Sequence, residues 1–256
     1  MLMHVMLTND DGIHAPGLGA LFDAFSSRHQ VTVVAPDRER SAVGHGITLH
    51  QPIRFEETRV NGGMAGFAVS GTPADCVKLG LAELLDTPPD LVVSGINPGA
   101  NVGINVNYSG TVAAAKEAAM AGIPAMAVSI ISPGDRHVGA AARFAEALSR
   151  RVTGQALPAG TFLNVNFPDL PMDRIRGVRW SRQGAGGVAR HFEKRRDPRD
   201  RIYYWQGCDS QSADDPPDVD GAALGNRYIS ITPIKCDMTD YDALRELARW
   251  NIPVTP

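Results

Sequence analysis

Two aspartates stand side by side in 'LTNDDGIHAPG' (residues 7–17), directly after the short apolar run 'HVML'. A strand-to-helix turn ordinarily needs one acidic cap. The pair Asp10-Asp11, between Asn9 and Gly12, is therefore either a cap with a solvated neighbour or half of a site for a hard cation. A second stretch, 'SGINPGANVGINVNYSGT' (94–111), is a Gly/Asn loop that ends in Ser109-Gly110-Thr111 and opens straight into a helix. Helix N-termini present unpaired N–H groups and a partial positive charge, so such a junction takes anions and phosphates. A third, 'APDRERSAVGHG' (35–46), carries Ser41.

Together these stretches predict one chemistry. An anion pocket beside two carboxylates repels its own ligand unless a cation lies between them. Mg²⁺ and Mn²⁺ take oxygen ligands, and Ser41 and Asn97 add a hydroxyl and an amide oxygen to the aspartate pair. One such ion per subunit would polarise a phosphoryl oxygen and activate a water for attack, which is hydrolysis of a phosphomonoester. Direct attack by an aspartate is the competing mechanism, and a nucleotide-binding regulator without catalysis is the alternative function. Thr72 and Asp75 read as a capping box instead, despite the similar triplet Ser70-Gly71-Thr72. The seven histidines fall in no HxxxH or HExxH spacing, which argues against zinc. 'GAGGVA' (184–189) fits a dinucleotide fingerprint, but it follows a polar stretch and precedes no apolar crossover helix, so it reads as a loop.

The elements that must position these residues follow from hydrophobic period. Strands are expected at 3–8, 31–36, 90–95, in 'PAMAVSI' and at 161–167, with helices from Leu18 to Phe25 and over 72–85, 111–121 and 138–152. Gly154 is the expected stop of the last. Residues 47–70 read as an antiparallel hairpin turning at 61–63, and 'RDPRD' followed by 'RIYYWQG' (196–207), within the Gly-, Arg-, Asp- and Pro-rich stretch 183–221, as a hairpin arm. The strand 227–235 and an amphipathic helix over 240–250 close the chain. Succession of βα units predicts an open, doubly wound, mostly parallel α/β sheet with its site at the carboxyl ends of the strands. A single domain over 1–256 is expected, with a core of about 1–170 and a C-terminal extension of about 171–256.

Composition bounds the partners. Of 256 residues 43% are hydrophobic and 21% charged, enough for a substantial core, and a net charge of −3 gives no basic field for a nucleic-acid polymer. Cys76, Cys208 and Cys236 are scattered, no apolar run approaches the roughly 18 residues of a membrane span, and no export signal is visible. A cytoplasmic protein with no membrane partner is expected.

The motifs also carry a resemblance. 'TNDDGIHAPG', 'VVAPDRERSAVGHGIT', 'SGTPADCVKLGL', 'PDLVVSGINPGANVG', 'YSGTVAAAKEAAMAGIPAMAVS', 'LNVNFP' and 'YISITPI' run in order from residue 8 to about 234. In these blocks the chain resembles the SurE family of stationary-phase survival nucleotidases. The resemblance implies a Rossmann-like core whose C-terminal hairpin and helix serve assembly into a homodimer or homotetramer. It implies a divalent-metal-dependent phosphatase for nucleoside 5′-monophosphates, with 3′-monophosphates and short polyphosphate as further substrates. Metal ligands would be Asp10, Asp11, Ser41 and Asn97, with Asp10, Asp11 and Asn97 catalytic. Ser109, Gly110 and Thr111 would contact phosphate, with Asn9, Asn97 and Asn101 beside it.

Overall fold

A computed structural model describes residues 2–60, 64–131, 137–186, 192–206 and 215–253. Apolar β-rich runs form β1 (His4–Thr8), β2 (Gln30–Pro36), β5 (Leu91–Pro98), β6 (Ala125–Ile130) and β7 (Thr161–Phe167). These five lie side by side in parallel, in the order β2-β1-β5-β6-β7. Helices on both faces explain why their sequences are continuously apolar instead of alternating. On one face α1 (Pro16–Ser26) packs against α4 (Val138–Gln155), burying Leu18, Leu21 and Phe25 against Ala141, Ala142 and Ala145. On the other, α2 (Pro73–Leu79) meets α3 (Gly110–Met120), with Val77, Val112 and Ala115 in the second cluster. Each large side chain so enclosed contributes about 1.5–3 kcal/mol.

The run of alanines in α3 has a positional consequence. Ala113, Ala114, Ala115, Ala118 and Ala119 are all buried, so small side chains let this helix lie close to the sheet, its N-terminus at the strand ends. Pro73 at the first position and the Thr72–Asp75 capping box start α2 where expected.

Three expectations need correction or extension. The hairpin begins only at β3 (Phe55–Val60), which pairs antiparallel with β4 (Met64–Val69), while β4 joins β2 in parallel. Its expected turn at 61–63 lies outside the described residues. Gly154 does not stop α4: the helix runs on through Gln155, and the reversal falls on Ala156, whose φ is 48°. The C-terminal third is woven into the sheet: β11 (Ile229–Lys235) pairs antiparallel with β7 and parallel with the short edge strand β8 (Val178–Trp180). The expected arm is β9 (Phe192–Arg196) with β10 (Ile202–Gln206), a separate antiparallel pair. Its basic residues are matched by acids, as in Arg195–Glu193, Arg196–Asp200 and Arg201–Asp197. Two further helices, α5 (Asp220–Gly225) and α6 (Tyr241–Leu247), flank β11 in sequence. The apolar stripe of α6, Tyr241, Leu244 and Leu247, faces outward.

Candidate active site

β1 and β5 are parallel neighbours, Thr8 opposite Ser94, and the chain departs to β2 on one side and to β6 on the other. The loops after such a pair diverge and leave a crevice at the carboxyl ends, where ligands of this architecture bind. Asp10 and Asp11 stand on one lip and Asn97, at the end of β5, on the other. The lips are held together locally: a Cβ on Gly17 would lie 2.1 Å from the Ile96 carbonyl oxygen, so only glycine lets α1 approach β5 so closely.

Asn9 braces the aspartate turn. Its Nδ2 donates to the Gly12 carbonyl at 2.9 Å and its Oδ1 accepts the Gly12 N–H at 3.2 Å. Gly12 has φ +101°, and a Cβ there would come 3.1 Å from the backbone of Arg38, so the loop after β2 packs directly on this turn. The Arg40 N–H donates to the Asp10 carbonyl at 2.7 Å, binding the two loops again.

The anion at the N-terminus of α3 is the protein's own Asp10. Thr111 Oγ1 donates to Asp10 Oδ1, and the N–H groups of Gly110 and Thr111 act on the same carboxyl. Ser109 caps the helix, its Oγ accepting the Val112 N–H at 3.1 Å. Gly110 is required by the approach, since a Cβ there would sit 2.8 Å from Asp10 Cβ. Burial pushes the Asp10 carboxyl above its ordinary range, and the bonds from Thr111 and Gly110 offset this only in part.

Asp11 is the more perturbed in surroundings. Burial, then repulsion from Asp10 and Glu39, push its carboxyl up to about 7. Its Oδ2 is buried with no hydrogen-bond partner. A lone carboxylate oxygen turned inward beside a second buried carboxylate is costly unless a cation meets it. Ser41 is exposed and donates to Glu39 Oε1 at 2.6 Å, so it enters the site through Glu39. Sequence reasoning missed Glu39; the acidic residue two before Ser41 was its signal. Asn97 Nδ2 donates to the Gly99 carbonyl at 2.6 Å, leaving the amide oxygen as the group for a cation. Among the described residues no three His, Cys, Asp or Glu side chains converge as a metal set. The donors on hand are carboxylate, amide and hydroxyl oxygens, which fits a hard cation that keeps part of its water.

The loop from 98 to 107 is anchored, not adrift. The buried Asn101 donates its backbone N–H to Asn166 Oδ1 at 2.8 Å and its Nδ2 to Ser129 Oγ at 2.9 Å. Its carbonyl accepts Asn164 Nδ2 at 2.7 Å and Asn166 Nδ2 at 3.1 Å. Asn101 thus pins the loop to the ends of β6 and β7. Two asparagines on one side of an otherwise apolar strand, in 'LNVNF', were the available signal. Asp220, wholly buried at the start of α5, holds the same loop from the C-terminal third through the Gly103 N–H.

Beside Asp11 opens a cleft of about 360 Å³, walled by His14, Pro16, Ile96, Pro98 and Val138 among others. A separate cleft of about 320 Å³ runs along α3 past Ser109, Val112 and Lys116 to Lys235 and Met238.

A family model described as survival protein SurE matches residues 5–190. The chain belongs to the SurE family. A protein from Desulfatibacillum aliphaticivorans named 5′-nucleotidase SurE is 56% identical over 98% of this chain and 99% of its own length. One of the same name from Syntrophobacter fumaroxidans is 50% identical over 98% of this chain and 100% of its own. The crystal structure of the SurE protein from Aquifex aeolicus superposes with a TM-score of 0.84 at 36% identity, covering 95% of this chain and 98% of that one. The likeness to that structure extends over 95% of the chain, beyond the residues matched by the family model.

Proposed function

We propose that this SurE-family protein is a divalent-metal-dependent phosphatase that hydrolyses nucleoside 5′-monophosphates. The observation that carries it is the Asp10–Asp11 pair at the N-terminus of α3, with Asp11 Oδ2 buried and unpartnered. Relatives named 5′-nucleotidase SurE, 56% and 50% identical over nearly the full length, support the substrate.

Asp10 and Asp11 would hold one Mg²⁺ or Mn²⁺ per subunit, with Asn97 and Ser41 supplying neutral oxygens. Bound there, the ion would polarise a phosphoryl oxygen and lower the pKa of a water. Thr111 and the N–H groups of Gly110 and Thr111 keep Asp10 fixed in the orientation the site needs. With Gly110 and Thr111 committed to Asp10, Ser109, whose Oγ caps the helix by accepting the Val112 N–H, would offer its hydroxyl proton to the phosphate. Asn9 and Asn101 serve by bracing the two loops. The buried strand ends exclude water from the inner side of the crevice.

The rest of the chain reads as one α/β unit whose C-terminal part completes the sheet and offers an assembly surface. Phe192, Tyr203, Tyr204 and Trp205 on the β9–β10 arm, with Leu244 and Trp250 near the C-terminus, are exposed, which supports a homo-oligomer. Among the described residues no helix is long and apolar enough to cross a membrane. Cys76 and Cys236 are free thiols, which supports a cytoplasmic location.

The test is phosphate release from nucleoside 5′- and 3′-monophosphates by chelator-stripped protein, with Mg²⁺ or Mn²⁺ restored, beside Asp10→Asn. Metal-restored activity that disappears in the variant is the expected result. Activity indifferent to metal would dissociate the aspartate pair from the reaction, and nucleotide binding without turnover at any metal concentration would make the protein a regulator.

A further inference from the structure

We infer that Glu39 is a positioning residue of the cation site: it accepts the hydroxyl hydrogen of Ser41 and so leaves the lone pairs of Ser41 Oγ to the cation. The inference rests on the phosphatase reading and gives a task to a side chain that reading does not use.

The segment that carries Glu39 is clamped to the aspartate turn on both sides. Before it, the Pro36 carbonyl accepts the Ile13 N–H at 2.8 Å; after it, the Arg40 N–H donates to the Asp10 carbonyl at 2.7 Å. Between these bonds, a Cβ on Gly12 would lie 3.4 Å from the Glu39 nitrogen and 3.1 Å from the Arg38 carbonyl carbon. Arg40 also ties the segment outward, its Nη2 donating to the Ser70 carbonyl. Ser41 is the next residue, so both side chains spring from backbone held at the aspartate turn. The charge of Glu39 reaches that turn, because it helps to push the Asp11 carboxyl upward. A third carboxylate beside the pair is a cost to the fold that a bound cation reverses.

A serine hydroxyl has one hydrogen and two lone pairs, and it rotates to suit its neighbours. Beside carboxylates such as Asp10 and Asp11 its default is to donate to one of them. That would aim the hydrogen, and not a lone pair, at the place of the cation. Glu39 removes this choice. Ser41 Oγ donates to Glu39 Oε1 at 2.6 Å, within the range of a charge-assisted O–H···O⁻ bond. Partners outside a metal site commonly orient the ligands inside it in this way. Glu39 and Ser41 are both exposed, so their bond adds little to the fold.

The experiment measures Mn²⁺ affinity of the full-length protein by titration calorimetry at about pH 8, above the value of about 7 to which Asp11 is raised. Glu39→Ala is expected to weaken binding about tenfold, and Ser41→Ala by about the same factor. The double variant should lie within about twofold of Ser41→Ala, because Glu39 acts through that hydroxyl. Glu39→Gln, whose amide oxygen can accept the same hydrogen, should lose no more than about threefold. Urea midpoints should stay at the parent value in every variant, which a merely structural bond would not allow. Should Glu39→Ala lose stability, Glu39→Gln against Ser41→Ala still decides, since equal losses in the two contradict the inference. Affinity within about twofold of the parent in Glu39→Ala or in Ser41→Ala overturns it. So does a Glu39→Ala loss that persists at full size without Ser41, or a Glu39→Gln loss as large as that of Glu39→Ala. Either would make the carboxylate act by charge alone. A parent protein that binds no Mn²⁺ instead strikes the metal-dependent reading of the aspartate pair.

Discussion

Asp220 accepts the backbone N–H of Gly103 at 2.8 Å, across 117 positions of sequence. The same carboxylate accepts Gly184 at 3.0 Å and Gly221 at 2.8 Å, and it is fully buried. Around it, Gln183 Nε2 donates to the Gly103 carbonyl at 2.8 Å and the Ile104 N–H to the Gly186 carbonyl at 2.9 Å. The loop that delivers Ser109, Gly110 and Thr111 is thus bolted to the C-terminal third by a side chain that makes no contact with the aspartate pair.

Replacing Asp220 by Asn keeps the volume but turns an N–H toward donors that need an acceptor. A loss of about 1–3 kcal/mol in unfolding free energy is expected, with a lowered kcat/KM for nucleotides. Urea unfolding and steady-state kinetics check both. An unshifted midpoint together with parental kinetics would show that the bolt is dispensable.

Asp11 sets a pH dependence. With its carboxyl raised from 3.8 to about 7, the protonated form is favoured in the metal-free fold. That contribution to stability is complete below the unfolded value of 3.8 and is lost as pH rises through about 7. Cation binding has the opposite sign, because it requires the carboxylate. Mn²⁺ affinity should therefore rise about tenfold per pH unit up to about 7 and then level. Titration calorimetry follows it directly, and Glu39→Gln should move the break to lower pH by removing one source of repulsion. Affinity independent of pH from about 5 to 8 would separate Asp11 from the cation.

Gly110→Ala tests the contact between α3 and Asp10. Helix propensity alone favours alanine by about 1 kcal/mol. The added Cβ, however, would lie 2.8 Å from Asp10 Cβ, 2.9 Å from its Oδ2 and 3.1 Å from Pro73 Cγ. The steric effect should win, since the backbone of both elements is held by neighbours. Weaker Mn²⁺ binding and at least a roughly tenfold loss of kcat/KM are expected. A variant with parental activity and a raised melting temperature would mean the helix can retreat without cost.

Asp75 governs stability in acid. Its carboxylate accepts Thr48 Oγ1 at 2.6 Å, the Thr48 N–H at 3.1 Å and the Thr72 N–H at 2.9 Å. Burial alone would raise its pKa, but these bonds outweigh it and the net shift is downward. A lowered carboxylate contributes above its unfolded value and loses that contribution as pH falls through the folded one. Asp75→Asn should therefore be less stable than the parent by about 1 kcal/mol near neutrality, with the gap closing below the unfolded value of 3.8. Urea midpoints at neutral and acid pH measure it, and a gap that widens in acid would contradict the assignment.

Much of this protein is written locally. Apolar period and capping chemistry act over a few residues, so β1, β2, β5, β6 and β7, the alanine helix and the capping box at Thr72 could all be read from neighbours in sequence. The same holds for the aspartate pair and the Ser109-Gly110-Thr111 junction, because residues adjacent in sequence at a strand end remain adjacent in space. Boundaries were less legible at α4. Gly154 is tolerated inside that helix because packing against α1 continues to hold its neighbours, Val152 being buried.

Other features depend on which distant segments meet, and no local preference specifies that. Asp10 finds Thr111 across 101 positions. Asn9 and Asn101 turn inward to brace loops because backbone groups brought there by the strand ends need partners. Glu39 becomes part of the electrostatics of Asp11 only once the loop after β2 packs on Gly12. β11 enters beside β7 because β7 has an open edge there, and Asp220 follows to reach Gly103. The sequence by itself determined the elements, the charge pair and the helix junction, through interactions between near neighbours. The tertiary structure alone decided which side chains reach the crevice and which hold its walls, because that choice is made by the packing of the whole sheet.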